Sequence, residues 1–146
     1  MTVTAIHREV ELCRAGGPQT IARLASGWAV MGERQVLAGY CLLLPDPVVG
    51  HLNALDARSR NTFLCDLGRL GEAVLGASGA LRVNYAIFGN QEPALHAHVH
   101  PRYVDEPAAL RRAHPWAYDW SQAPLWSEAE HGALREAIAA RLAASA

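Results

Sequence analysis

Three histidines stand at every second position in Leu95-His96-Ala97-His98-Val99-His100, and no other feature of the chain restricts its fold as much. Histidine supplies 7 of 146 residues. Three at set alternate positions therefore arise by chance about once in ~9,000 starts, counted against that template. A strand turns successive side chains to opposite faces, so a period of two puts all three rings on one side of a sheet. Pro101 closes the run. Imidazole can serve as base, nucleophile, proton donor, anion partner or metal ligand near neutral pH. The chemistry is expected on this stripe.

The 146 residues suit one domain over 1–146, with a core at about 20–105 and a C-terminal loop and helix over 106–146. A net charge of −1 and the absence of a basic run argue against a nucleic-acid partner. No apolar stretch reaches the ~20 residues that cross a bilayer, so no membrane partner is expected. The start, Met1 to His7, lacks the basic and apolar regions of a signal peptide. Cys13, Cys41 and Cys65 are odd in number, widely spaced and without a CxxC pair. They read as reduced thiols of a cytoplasmic protein.

The pattern predicts a short helix over Ala5–Arg14, then a hairpin of Thr20–Ala25 and Trp28–Met31 around Ser26-Gly27. A strand is predicted over Val36–Leu44, closed by Pro45-Asp46-Pro47. Asp56 caps a helix running from Ala57 to about Leu75, with Phe63, Leu64, Leu67, Leu70, Val74 and Leu75 as its apolar face and Gly76–Gly79 as its stop. Leu81–Phe88 reads as a strand, Gly89-Asn90 as a turn, and the histidine stripe as the next strand. A last helix starts at a Ser127–Glu130 capping box and buries Leu134, Ile138 and Leu142. Trp116, Trp120 and Trp126 are expected to pack on the helical layer, the alternative being a flap over the histidines. The outline is α+β, an antiparallel sheet of five or six strands with a long helix across it.

A histidine strand can be a plain surface face, or its rings can be satisfied partners in a core. Clustered rings repel when charged, which favours their neutral form and makes them titrate as a set. Two chemical uses remain open. His96, His98 and His100 (or Tyr40) could ligate zinc. Alternatively, one imidazole attacks phosphorus while a neighbour steadies the phosphoryl oxygens. Spacing does not choose between them.

The stretch from Asn84 to Tyr103, with its Asn84-Tyr85 strand, Gly89-Asn90 turn, Pro93, histidine stripe and Pro101-Arg102, resembles the histidine triad (HIT) superfamily. Trp28–Met31 and Gly39–Pro45 look like that family's two preceding strands, and His51–Asp56 is similar to the stretch before its long helix. The resemblance covers about Trp28 to Tyr103. It implies a HIT-like fold, and hydrolysis or transfer at a phosphoanhydride, phosphoester or phosphoramidate of a nucleotide. The intermediate would be a nucleotidyl-histidine, with neither cofactor nor metal. It also implies a homodimer pairing through the Asp56–Leu75 helix and the strand from Leu81.

Aligning Pro101-Arg102 with the family's Pro-Arg puts the triad at Ala94, His96 and His98. His96 is then the nucleophile and His98 the third-position partner. The literal alternative is His96, His98 and His100. Asn84, Asn90, Gln91, His100 and Arg102 are candidate substrate contacts. Three usual polar positions are lost: the first histidine is Ala94, the histidine after the strand glycine is Tyr40, and the ribose-binding position is Gly32. These losses leave a non-catalytic nucleotide- or anion-binding protein as the rival reading.

Overall fold

A computed structural model describes residues 2–145. Among them five strands form one antiparallel sheet: β1 (Thr20–Arg23), β2 (Gly27–Met31), β3 (Cys41–Pro45), β4 (Arg82–Ala86) and β5 (Ala97–Arg102), in spatial order β1-β2-β3-β5-β4. The helices are α1 (Ala5–Arg14), α2 (Ala57–Ser78), the single turn α3 (Ala108–Arg111) and α4 (Glu128–Ala144). This is the expected α+β arrangement.

The apolar pattern decides which way the sheet faces. Phe63, Leu67, Leu70 and Val74 of α2 pack on Ala29 and Met31 of β2, Cys41 and Leu43 of β3, and Ala97 and Val99 of β5. Ile138 and Leu142 of α4 close that core. Burying one such large side chain is worth roughly 1.5–3 kcal/mol. A one-residue slip of β5 would drive its imidazoles into this layer, so the register is held firmly. The opposite face carries α1, whose Ile6, Val10 and Cys13 pack on Val30, Leu44 and Ala94.

Several element boundaries differ from expectation, each for a local reason. Asp56 caps α2 as predicted, its Oδ1 accepting the Ser59 N–H at 2.8 Å. The helix then runs through Gly76 to Ser78 and ends at Gly79, whose φ of 70° is left-handed. Gly76 serves a crossing and not a stop: a Cβ there would lie 2.3 Å from the Arg141 guanidinium. The strand predicted over Val36–Leu44 begins only at Cys41. Before it, buried Gln35 donates to the Gly32 and Tyr40 carbonyls at 2.7 and 2.8 Å and accepts the Gly39 N–H at 2.9 Å. That side chain gives the loop a substitute for ladder bonds. At α4, Ser127 Oγ accepts the Glu130 N–H at 3.2 Å. The reciprocal acceptor is His131 Nδ1, 3.0 Å from the Ser127 N–H, not Glu130.

β4 stops at Ala86, two residues short of the predicted end. It is an edge strand, and Tyr85 within it and Leu81 and Phe88 beside it are exposed. No helix among the described residues is long and apolar enough to cross a membrane.

Candidate active site

Because Ala97 and Val99 point into the helical layer, His98 and His100 point to the other face of β5, with His96 immediately before the strand on the same side. Ring centroids of His96 and His98 lie 4.8 Å apart, and those of His98 and His100 5.8 Å. Across the ladder His98 faces Ala86, His100 faces Asn84 and Arg102 faces Arg82. These two strands floor an open cavity of about 1190 Å³, walled by Phe88–Glu92 on one side and Arg111–Trp116 on the other.

His96 sits at one end of that floor. Its Nδ1 lies 2.7 Å from the Ala94 carbonyl. A carbonyl has no proton to give, so the ring donates from Nδ1, and in the neutral ring the lone pair is on Nε2. Ala94, which the register set on Pro101-Arg102 puts at the first triad position, is fully buried beneath α1 against Ile6, Val10 and Cys13. An imidazole there would displace apolar packing.

His98 is held by a residue that sequence reasoning named only as a departure or a zinc ligand. Its Nδ1 lies 2.8 Å from the Tyr40 hydroxyl. Burial, and secondarily the charge of His96, pulls the His98 pKa down to about 4, so the ring is neutral at pH 7. Burial pushes the Tyr40 phenol well above its ordinary value, so it keeps its proton. Tyr40 is buried and its hydroxyl has no other acceptor among the described residues, so it donates to Nδ1 and leaves His98 with a proton on Nε2. The neighbouring rings are thus set as opposites, a bare Nε2 on His96 and an N–H on His98.

Tyr40 owes its place to Gly32. The two residues pair across the hairpin, Gly32 N–H to Tyr40 carbonyl at 3.0 Å, and a Cβ on Gly32 would meet the Tyr40 ring at 2.3 Å. Two apparently separate departures are one substitution in space, an aromatic ring lying over a glycine. That pairing was the available sequence signal for Tyr40.

His100, expected to touch substrate, is instead sealed at 0% exposure. It stacks on Tyr40 at 4.5 Å, and Trp116 and Trp120 meet it edge-on at 5.0 and 5.8 Å. Neither ring nitrogen has a hydrogen-bond partner. Burial, then the charges of His98 and Arg102, lowers its pKa to about 3. Trp116 and Trp120 therefore lie on the histidine face and not on the helical layer as expected. Trp126 does pack with the helical core, under the Arg135 guanidinium.

Arg102, expected against a phosphate, is committed inside the protein. Its Nε and Nη2 reach the Glu106 carboxylate at 2.9–3.2 Å. Its remaining donors take the Asn84 side chain (2.8 Å) and the Ala113 and Leu110 carbonyls (2.7 and 2.9 Å). All five guanidinium protons are used. Burial works against a charged Glu106, but hydrogen bonds from Arg102, Tyr118 and the Tyr103 N–H hold its carboxyl below the usual range. Asn84 thus serves as a structural acceptor. Asn90 and Gln91 are exposed at the cavity wall. His51 is exposed at the start of a short 3₁₀ turn and does not line the cavity. Among the described residues no three His, Cys, Asp or Glu side chains converge as metal ligands.

No protein-family model and no curated protein matches the sequence. Solved structures do match. A histidine triad protein of Marinobacter aquaeolei superposes with a TM-score of 0.76 at 17% identity over 99% of this chain and 100% of that one. One from Bradyrhizobium japonicum gives 0.74 at 18% identity over 97% of each chain. A hypothetical histidine triad nucleotide-binding protein of Sulfolobus tokodaii gives 0.72 at 12% identity over 92% of this chain and 91% of that one. At these identities the likeness concerns architecture, and it spans nearly the whole chain: the protein has the fold of the histidine triad proteins.

Proposed function

We propose that this protein cleaves a nucleotide-like phosphoanhydride, phosphoester or phosphoramidate through a covalent histidine intermediate. The observation that carries this reading is the Nδ1–H of His96 donating to the Ala94 carbonyl, which makes Nε2 the nitrogen that bears the lone pair in the neutral ring, on a residue that lines an open cavity.

The Nε2 lone pair of His96 forms a bond to phosphorus, and the bond from phosphorus to the leaving group breaks with its electron pair. A phosphate leaving group departs as an anion, while the amine of a phosphoramidate or the alcohol of a phosphoester leaves with a proton taken from water in the cavity. The Nε2–H of His98 donates to a non-bridging phosphoryl oxygen, where charge builds in the transition state. A water then attacks phosphorus, the P–N bond breaks back to His96, and a phosphate monoester leaves. His98 suits this role because it stays neutral: a charged ring beside His96 would repel the nucleophile's developing positive charge. Among the five candidate substrate contacts, Asn90 and Gln91 are left at the wall to meet ligand.

The test is incubation with diadenosine polyphosphates and adenosine phosphoramidates, followed by alkaline quench and peptide mass spectrometry. The expected result is product release and a nucleotidyl group on the peptide containing His96. Tight binding with no product and no adduct would instead fit the non-catalytic binding reading, which the loss of polar groups at Ala94, Gly32 and Tyr40 motivates.

We also propose that a second copy of the chain pairs along β4 and α2. The free backbone edge of β4 and the exposed Leu81, Tyr85 and Phe88 favour such pairing. Sedimentation is expected to return twice the 15.8 kDa chain mass, and a monomer at micromolar concentration would exclude it.

A further inference from the structure

The end of the cavity away from His96 is built around concentrated positive charge. Arg82 of β4 lies directly opposite Arg102 of β5. Both point to the histidine face, because Val83 packs with the helical core. Like charges facing each other across a ladder are unfavourable. Arg102 has its own carboxylate, Glu106, and its guanidinium also grips the carbonyls of Leu110 and Ala113. That grip anchors the turn that carries the two residues between them, Arg111 and Arg112, and both line the cavity along with Arg82. Arg111 is further tied to the Val104 carbonyl at 3.2 Å. None of Arg82, Arg111 and Arg112 forms an ion pair among the described residues, whereas Arg14, Arg69, Arg102 and Arg135 do. The buried carboxylate that lines the same cavity, Glu106, is taken up by Arg102, Tyr118 and the Tyr103 N–H. Three guanidiniums without an ion-pair partner among the described residues thus line a cavity that His96 and His98 also line.

From this arrangement we infer a second anion subsite at Arg82, Arg111 and Arg112, which takes a phosphate or carboxylate of the same ligand that presents phosphorus to His96. The spacing defines that ligand. Six residues of extended chain from His96 to Arg102 span about 20 Å at ~3.3 Å per residue. The ligand is therefore an extended one, with its second charged group well separated from the reacting phosphorus and this backbone span as the guide to its length. Guanidiniums bind either oxyanion through paired donors. Such a group supplies the compensation that the protein itself withholds at Arg82. The inference rests on the proposed role of His96 only for the ligand's other end; the subsite itself is defined by the arginines.

The test separates the two ideas. Calorimetry with inorganic tripolyphosphate and, in a parallel arm, citrate is run on the full chain, on His96→Ala, on Arg82→Ser/Arg112→Ser, and on Arg58→Ser/Arg60→Ser, which removes equal charge from α2. The expected result is binding of at least one of the two anions that survives His96→Ala within about threefold. The Arg82/Arg112 variant should weaken it by about tenfold or more, through loss of charge-assisted bonds, while the α2 variant should not. The arm that binds more tightly tells phosphate from carboxylate. Absence of binding at millimolar anion, or equal weakening by the α2 variant, would overturn the subsite. Failure of His96→Ala to lose turnover would overturn only the catalytic reading.

Discussion

Replacing His96 with alanine is expected to abolish turnover, with kcat falling by on the order of 10³–10⁶-fold. A covalent route has no substitute for its attacking atom, and in the neighbourhood of His96 the other rings are unavailable. His98 presents an N–H and not a lone pair, and His100 is sealed by Tyr40, Trp116 and Trp120. His96 is itself buried and bonded to the Ala94 carbonyl, so its truncation should also cost about 0.5–1.5 kcal/mol of stability, which urea midpoints separate from the loss of turnover. Tyr40→Phe makes the informative contrast. The phenyl ring keeps the stack on His100 and the fit over Gly32 but removes the hydroxyl that sets the His98 tautomer. One net hydrogen bond is worth about 0.5–1.5 kcal/mol, so kcat should drop about tenfold or less. The acid limb of its pH profile should also move, which loss of packing alone would not cause. Single-turnover rates on all three proteins check this ordering. Undiminished turnover by His96→Ala excludes His96 as nucleophile.

The fold is expected to weaken sharply in mild acid, because it refuses protons that the unfolded chain accepts. His98 and His100 have pKa values drawn down from 6.5 to about 4 and about 3 by burial. Above about pH 6.5 both rings are neutral in the folded and unfolded chain, and this contribution to stability is fully present. As pH falls through 6.5 the unfolded chain takes up protons first. Stability then declines down to the folded values, about 4 for His98 and about 3 for His100. Each tenfold difference in proton affinity is about 1.4 kcal/mol, so going from pH 7.5 to pH 5 removes on the order of 4 kcal/mol through these two rings. A domain of this size holds about 5–15 kcal/mol in all. Urea midpoints at the two pH values measure the drop. His100→Phe, a flat ring for the same aromatic box without titratable nitrogens, should recover about half of it, since the two rings contribute about equally. A wild-type loss below about 1 kcal/mol would mean that the rings are hydrated in solution, and the box around His100 would not stand.

Legibility differed between the sheet and the site for physical reasons. Alternation is a local property of a strand, so the common face of His96, His98 and His100 could be read before any fold was known. The same holds for the Asp56 cap and the apolar face from Phe63 to Val74. Errors fell where a side chain far from its backbone neighbours settled the matter. Gly76 looks like a helix stop until Arg141 of a distant helix is seen crossing it. Val36–Tyr40 reads as strand because its composition is apolar, yet the buried Gln35 amide turns it into a loop. Arg102 followed the resemblance as an anion partner, but nothing near it in sequence announces that its donors would be met by Glu106, Asn84, Leu110 and Ala113 together. Trp116 and Trp120 lie on the layer opposite the expected one, and their loop has no period that would reveal its direction.

From the residues alone came the element order, the antiparallel α+β architecture and the strand face that bears the imidazoles, since periodicity and capping act over a few neighbouring positions. Only the tertiary structure decided what each imidazole can do. The Ala94 carbonyl bares Nε2 of His96, the Tyr40 hydroxyl puts a proton on Nε2 of His98, and two tryptophans bury His100. Tautomer and proton affinity depend on the dielectric and hydrogen-bond partners around a ring. Tyr40, Trp116 and Trp120, which set these for His98 and His100, lie 16 to 60 positions along the chain from those rings.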